Sequence, residues 1–153
     1  MANANTLRIT EVFYSLQGEA KTVGIPTVFV RLTGCPLRCQ YCDTDYAFEG
    51  GKIIELDDLG RDIEQFNCKY ITVTGGEPLA QPNCGKLLER LCVKGYTVSL
   101  ETGGAMSING LDKRVSIVMD LKTPGSLECE KNNYDNISLL QMKDQIKFVI
   151  CDR

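Results

Sequence analysis

Five short apolar runs, rich in β-branched residues and bounded by polar or glycine positions, set the firmest limit on how this chain can fold. They lie at residues 27–31, 70–73, 96–100, 115–121 and 145–150, and each has the length of a buried strand. Helical periodicity fills the gaps between them. Leu56, Leu59, Ile63 and Phe66 follow i, i+3, i+7, i+10 spacing, with Gly60 as a weak point costing up to ~1 kcal/mol relative to alanine. Asn83 is placed to cap a second helix in which Cys84, Leu87, Leu88, Leu91 and Cys92 share a face, and Gly95 supplies a left-handed stop. A shorter helical pattern runs from Ser138 to Asp144. Strands alternating with helices call for right-handed βαβ units and a parallel sheet, either open or rolled into part of a barrel. Ahead of them, Leu7, Ile9 and Val12-Phe13-Tyr14 precede a polar, glycine-containing turn from Gln17 to Gly24. This is the pattern of a β-hairpin leading into the first core strand. The length of 153 residues suits one domain, and no repeat, low-complexity tract or linker divides it.

Charge and residue usage narrow the function. Seventeen basic residues against 20 acidic ones give a net charge of −3, the wrong sign for strong nonspecific attraction to nucleic acid, so a small molecule is the expected ligand. Histidine is absent, which excludes Ser-His-Asp and Cys-His nucleophilic catalysis, imidazole acid-base chemistry and histidine-ligated zinc. Met1 to Arg8 has no apolar leader core, and no apolar stretch approaches the ~18 residues of a membrane span. A cytoplasmic protein is expected, and there eight cysteines point to metal or redox work more than to disulfides.

Three of the eight fall within eight residues: Cys35-Pro-Leu-Arg-Cys39-Gln-Tyr-Cys42, directly after a predicted strand. A structural zinc site normally closes four ligands, and no histidine or nearby fourth cysteine completes such a set. Three thiolates can instead hold three corners of a four-iron, four-sulfur cube and leave the fourth iron open for chemistry. A zinc knuckle that borrows a remote cysteine is the alternative. Cys84 and Cys92 read as core residues of their helix, and Cys68, Cys129 and Cys151 lack ligand spacing and receive no role.

Polar motifs recur at the predicted strand ends. Thr74-Gly75-Gly76-Glu77-Pro78, Glu101-Thr102 and Asp120-Leu-Lys122-Thr-Pro-Gly each follow a strand. In a parallel β/α barrel those ends form the mouth of the active site, so with the cysteines four motifs converge on one rim. The glycines permit close backbone approach to a ligand, and Glu77 is placed to receive an ammonium. Taken alone, Gly-Gly-Glu-Pro is an ordinary tight turn, and Glu101 and Lys122 are ordinary loop charges.

The C-x3-C-x-aromatic-C arrangement resembles that of the radical S-adenosylmethionine (SAM) superfamily. The resemblance implies that Cys35, Cys39 and Cys42 bind a 4Fe-4S cluster whose open iron chelates SAM, with Tyr41 beside the adenine and Asp43, Gly75, Gly76, Glu77, Asp120 and Lys122 in the SAM pocket. The reduced cluster would pass an electron to the sulfonium and so generate a 5′-deoxyadenosyl radical that abstracts hydrogen. Within the superfamily, the chain most resembles the 7-carboxy-7-deazaguanine synthases. The resemblance spans nearly the whole chain. It rests on Phe13-Tyr-Ser-Leu-Gln-Gly-Glu19, Phe29-Val-Arg31, Thr33-Gly-Cys35, Cys42-Asp-Thr-Asp45, Thr74-Gly-Gly-Glu-Pro78, Glu101-Thr102 and Asp120-Leu-Lys-Thr-Pro-Gly125.

That family resemblance implies a radical SAM α/β fold: a partial, open β/α barrel of parallel strands with an N-terminal hairpin extension. It implies a ring contraction of 6-carboxy-5,6,7,8-tetrahydropterin to 7-carboxy-7-deazaguanine with loss of ammonia, on the path to queuosine, with SAM regenerated. Leu16, Gln17, Gly18, Thr74 and Glu101 would contact the pterin, Arg31 its carboxylate, and Thr44 a Mg2+ ion. A strand-edge surface charge and a local turn hydroxyl are the alternatives for Arg31 and Thr44. An electron donor such as flavodoxin or ferredoxin and a homodimeric state are implied as well. Family members continue past the 145–150 strand, so one domain over residues 1–153, lacking the last of six strands and incomplete at its C-terminus, is expected. A glycyl-radical activating enzyme and a noncatalytic metal-binding module are the competing readings.

Overall fold

The computed structural model describes residues 5–151; residues 1–4 and 152–153 of the expected single domain lie outside the described residues. Its centre is a seven-stranded sheet of order β3-β1-β2-β4-β5-β6-β7. The strands are β1 (Thr6–Leu16), β2 (Pro26–Leu32), β3 (Lys52–Glu55), β4 (Tyr70–Gly75), β5 (Thr97–Thr102), β6 (Ser116–Asp120) and β7 (Gln145–Lys147). Strand β1 pairs antiparallel with both β2 and β3, while β2, β4, β5, β6 and β7 run parallel. The five parallel strands coincide with the five apolar runs, and the β1–β2 pair is the expected N-terminal hairpin. The fold is α/β with an open, mostly parallel sheet.

Strand periodicity sorts the two faces of this sheet. Val28, Val30 and Leu32 of β2, Ile71 and Val73 of β4, and Val98 and Leu100 of β5 enter one core with Leu7 and Ile9 of β1. Helices α1 (Leu56–Glu64) and α2 (Cys84–Val93) cover that face. They contribute Leu56, Leu59 and Ile63 from α1 and Cys84, Leu87, Leu88, Leu91 and Cys92 from α2, each large apolar side chain adding roughly 1.5–3 kcal/mol of burial energy. Cys84 and Cys92 are therefore packing residues, and burial pushes the Cys84 thiol up to about 12. A smaller cluster of Ile108, Ile117 and Met119 extends the core beneath β6.

Two local expectations are corrected, and one strand was not expected. Asn83 stands at the start of α2 without capping it; its side-chain amide donates to the Thr6 carbonyl at 3.0 Å and ties the helix to β1. The 138–144 helix does not form. A 3₁₀ segment spans Tyr134–Leu139 instead, Met142 is 97% exposed, and the Asp144 carboxylate accepts from the backbone N–H groups of Gln141 and Ile117. A short polar side chain that binds the backbone in this way stabilises a turn in place of a helix. Strand β3 has no alternating apolar signal; it forms because the backbone of Leu7 and Arg8 lies open beside Ile54 and Ile53. The predicted Gly95 stop has φ of +87°.

Leu88 is fully buried between α2 and the sheet, whereas Val93 at the end of the same helix is exposed. Leu88→Ala is expected to cost about 3 kcal/mol and Val93→Ala less than about 0.5 kcal/mol, read from urea unfolding midpoints.

Candidate active site

The helix-free face of the sheet carries polar side chains at its alternate positions, and at the C-terminal strand ends they line a cavity of about 630 Å³. Arg31 arrives from β2, Thr74 and Gly75 from β4, Glu101 and Thr102 from β5, Asp120 from β6 and Lys147 from β7. Of the residues singled out in the sequence, Gln17, Gly18, Arg31, Cys35, Cys39, Tyr41, Cys42, Asp43, Thr44, Thr74, Gly75, Gly76, Glu77, Glu101, Asp120 and Lys122 all border this space. Leu16 does not; its side chain is exposed on the outside.

The cysteines sit on a loop pinned at several points. The Arg38 N–H donates to the Glu128 carboxylate at 2.6 Å, the Gln40 N–H to the Ser126 carbonyl at 3.0 Å and the Cys42 N–H to the Cys39 carbonyl at 3.1 Å. The Arg38 guanidinium lies 4.1 Å over the Phe48 ring and donates to the carbonyls of Cys35 and Leu37. All three thiols are free and half-buried. Burial pushes those of Cys35 and Cys39 up, with Lys122 pulling Cys39 back, so binding of a metal centre must release protons here.

The glycine pair approaches protein more than ligand. A Cβ on Gly76 would lie 2.2 Å from the Gly34 carbonyl oxygen and 3.0 Å from the Cys35 Cβ, and one on Gly75 would lie 2.6 Å from the Leu32 carbonyl oxygen. The turn after β4 is thus pressed against the first cysteine. Glu77 locks it there. Its carboxylate is fully buried and accepts from the Leu79 N–H at 3.0 Å, the Thr102 hydroxyl at 2.9 Å and the Gly103 N–H at 2.7 Å. Burial raises its carboxyl, and those donors oppose the rise. Glu77 joins the ends of β4 and β5, a positioning duty that the expected ammonium contact did not include.

Charged side chains are graded across the rest of the cavity. Asp120 Oδ2 accepts from Lys122 Nζ at 3.0 Å and lies 3.7 Å from Lys147 Nζ, which also pairs with Glu19 at 2.8 Å. Lys122 stands 5.7 Å from the Tyr41 ring centroid. Asp120 Oδ1 and the Tyr41 hydroxyl are buried with no partner among the described residues, as groups awaiting a ligand would be. At the other end, Arg31 Nε donates to Glu11 at 2.7 Å, Tyr46 donates to the same oxygen at 2.8 Å, and the guanidinium lies near the rings of Phe13 and Tyr46. It is a cavity residue oriented by its cross-strand partner, not a surface charge. Between the two ends, Glu101 accepts from Thr74 at 3.0 Å and from Gln17 at 3.3 Å, and Gln17 also donates to Thr72. Thr44 makes no cap to its own 3₁₀ turn; its hydroxyl lies 3.8 Å from the Cys42 sulfur.

Residues 29–124 match the radical SAM superfamily. A 7-carboxy-7-deazaguanine synthase from Koribacter versatilis is 40% identical over 149 residues, which cover 96% of this chain and 66% of that protein. One from Chlorobaculum tepidum is 40% identical over 151 residues, covering 98% and 69%. The chain belongs to the 7-carboxy-7-deazaguanine synthase family. It spans about two thirds of the length of these curated relatives. The crystal structure of QueE from Escherichia coli superimposes with a TM-score of 0.69 at 20% identity, over 94% of this chain and 83% of that one, which shows a shared fold.

Radical SAM membership brings a 4Fe-4S cluster and SAM, and the residues fit both. Among the described residues no three His, Cys, Asp or Glu side chains converge as on a single metal ion; a cluster asks for no such convergence, since each thiolate binds a different iron. The unpartnered Asp120 and Tyr41 atoms stand on the cysteine side, where SAM would lie. Sequence reasoning missed Lys147, Glu19 as a cavity residue, Glu11 and Tyr46 behind Arg31, and Glu128 beneath the cysteine loop. Lys147 had a signal, being a charge inside the apolar 145–150 run; Glu128 had none. Among the described residues no helix is long and apolar enough to cross a membrane.

Burial pushes the Glu101 carboxyl above its ordinary value of 4.5, Glu19 adds to the shift, and Thr74, Lys147 and Gln17 oppose it. Native Glu101 therefore holds its proton to higher pH than the unfolded chain. Its stabilising contribution is complete below about pH 4.5 and declines as pH rises through the raised value. Glu101→Gln, which does not ionise, is expected to gain stability relative to the parent as pH increases from about 4 to 7 in urea titrations. A flat or reversed difference would rule out burial as the dominant influence.

Proposed function

We propose that the chain carries out the radical SAM ring contraction of 6-carboxy-5,6,7,8-tetrahydropterin to 7-carboxy-7-deazaguanine, with release of ammonia, in deazapurine and queuosine biosynthesis. The observation that carries this reading is the meeting, in one cavity, of three thiols with the Gln17, Arg31, Thr74 and Glu101 set. When bound, the cluster and SAM supply the electron and the hydrogen-abstracting radical. Everything else falls to this chain's own side chains.

Cys35, Cys39 and Cys42 would hold the cluster. Asp120, Lys122, Tyr41, Asp43 and the backbone of Gly75 and Gly76 would hold SAM, with Glu77 fixing the turn on which those glycines sit. On the opposite side, Glu101 offers acceptors and the Gly18 N–H a donor to the amino-oxo pyrimidine edge of a pterin. Gln17 and Thr74, whose own donors go to Glu101 and Thr72, would contact it through their amide and hydroxyl oxygens. Leu16 is left only its main chain for this purpose. Glu11 occupies Arg31 Nε and the Gly75 carbonyl accepts from Nη1 at 3.4 Å, which leaves Nη2 for the substrate carboxylate. Thr44 gives a hard oxygen ligand for Mg2+ beside the cysteine loop. The electron would come from a donor such as flavodoxin or ferredoxin, and the working unit would be a homodimer.

Anaerobic reconstitution is expected to give about four irons and four sulfides per chain, and the reduced protein with SAM and the carboxytetrahydropterin should yield the deazapurine acid by chromatography. A protein holding only zinc, or one that cleaves SAM without forming the acid, would overturn the assignment. Arg31→Ala should raise KM for the pterin roughly tenfold or more, the scale of a lost charge-assisted pair, and Thr44→Ala should weaken the dependence of rate on magnesium.

A further inference from the structure

The segment from residue 17 to residue 25 leaves β1 next to β2 yet ends its reach on β7, at the opposite edge of the parallel sheet. Glu19 Oε2 accepts from Lys147 Nζ at 2.8 Å, and the Lys21 N–H donates to Gln145 Oε1 at 2.9 Å. On the way, Thr22 lies over the strands, closing a small space of about 30 Å³ with residues of β4, β5 and β6. Gln145 and Lys147 alternate on one face of β7, so both point at the crossing segment. Internally the segment is held by the Gly24 N–H to the Gln17 carbonyl at 2.7 Å and by the Gln17 N–H to the Ile25 carbonyl at 3.0 Å. It therefore behaves as one strap.

We propose that Lys147 is a positioning residue for the substrate side of the cavity: with Glu19 it pins the strap that carries Gln17 and Gly18 to the far edge of the sheet. The ammonium is also 3.7 Å from Asp120, so a single cation joins the strap to the carboxylate on the cysteine side. Glu19, Asp120 and Glu101 all favour its charged form against the cost of its burial. Removing the charge releases the strap's only ion pair to β7 and leaves Glu19 beside Glu101 without a counter-charge. The fraction of molecules with Gln17 in place then falls, and apparent affinity for a ligand that needs Gln17 falls with it. The substrate part of this proposal rests on the pterin reading above; the strap part does not.

Hydrogen exchange on the protein without cofactors tests the strap, and anaerobic calorimetry with carboxytetrahydropterin on the reconstituted protein tests its effect. Lys147→Met and Glu19→Gln should each speed exchange of the Glu19 and Lys21 amides roughly fivefold, the effect of losing one partly exposed ion pair, with the core amides of β4 and β5 unchanged. Lys147→Arg should restore protection. Both variants should weaken pterin binding by a similar factor. Unchanged exchange in both variants overturns the strap, and faster exchange with undiminished pterin affinity overturns the positioning role. A parent protein that binds no pterin overturns the pterin reading, while the exchange result still decides the strap.

Discussion

The site depends on one close contact, the Gly76 backbone against Gly34 and Cys35. No side chain fits there, since a Cβ would stand 2.2 Å from the Gly34 carbonyl oxygen. Around that contact the Gly34 carbonyl accepts from the Glu77 N–H at 2.8 Å, and the Glu77 carboxylate gathers donors from Leu79, Thr102 and Gly103. A buried carboxylate without partners would be costly, and one with several donors becomes a rigid joint. The first cysteine, the turn after β4 and the end of β5 are thereby fixed relative to one another, and a metal centre bound by the loop takes its place from this joint.

Strand periodicity does the rest of the sorting. On β2, β4 and β5 the same two-residue alternation sends Val28, Val30, Leu32, Ile71, Val73, Val98 and Leu100 under the helices and sends Arg31, Thr74 and Glu101 into the cavity. A substitution pattern that preserved the core would preserve the spacing of the cavity side chains as well. Pairing across β1 and β2 adds precision, because Glu11 opposes Arg31 and Phe13 opposes Phe29 in register, with the two rings stacked at 5.0 Å. Arg31 is held by a carboxylate on one side and aromatic faces on the other, which limits how its guanidinium can turn.

What could be read from the sequence follows from where the signals are local. The five parallel strands, both α-helices and the cysteine loop each announce themselves within about ten residues. Most of the cavity-lining residues did so too, because they sit at strand ends or in short motifs. What could not be read depends on partners far away in the chain. Strand β3 exists only because β1 has an open edge for it. Asn83 forgoes its cap because Thr6, 77 positions away, offers a carbonyl. Glu128 reaches the cysteine loop across 90 positions and Lys147 reaches Glu19 across 128. Gly75 and Gly76 were legible as glycines that something must approach closely, but that the approaching group is the neighbouring loop is visible only in three dimensions.

The arrangement of charge explains why these long-range contacts matter. Glu19, Glu101 and Asp120 stand in one cavity with Lys122 and Lys147 as their nearby cations. Lys122 serves the cysteine side, opposing the burial that raises Cys39 while holding Asp120. Lys147 is shared between Asp120 and Glu19 and bears on Glu101 through space. The two lysines thus divide the cavity into a thiol-rich side and a carboxylate-bearing side. Asp120 is the hinge between them, since both cations meet at its Oδ2 while its Oδ1 has no partner among the described residues. A ligand group that donates to Oδ1 would draw on the same carboxylate that both lysines stabilise, so binding on one side and the placement of the strap on the other share a common electrostatic element.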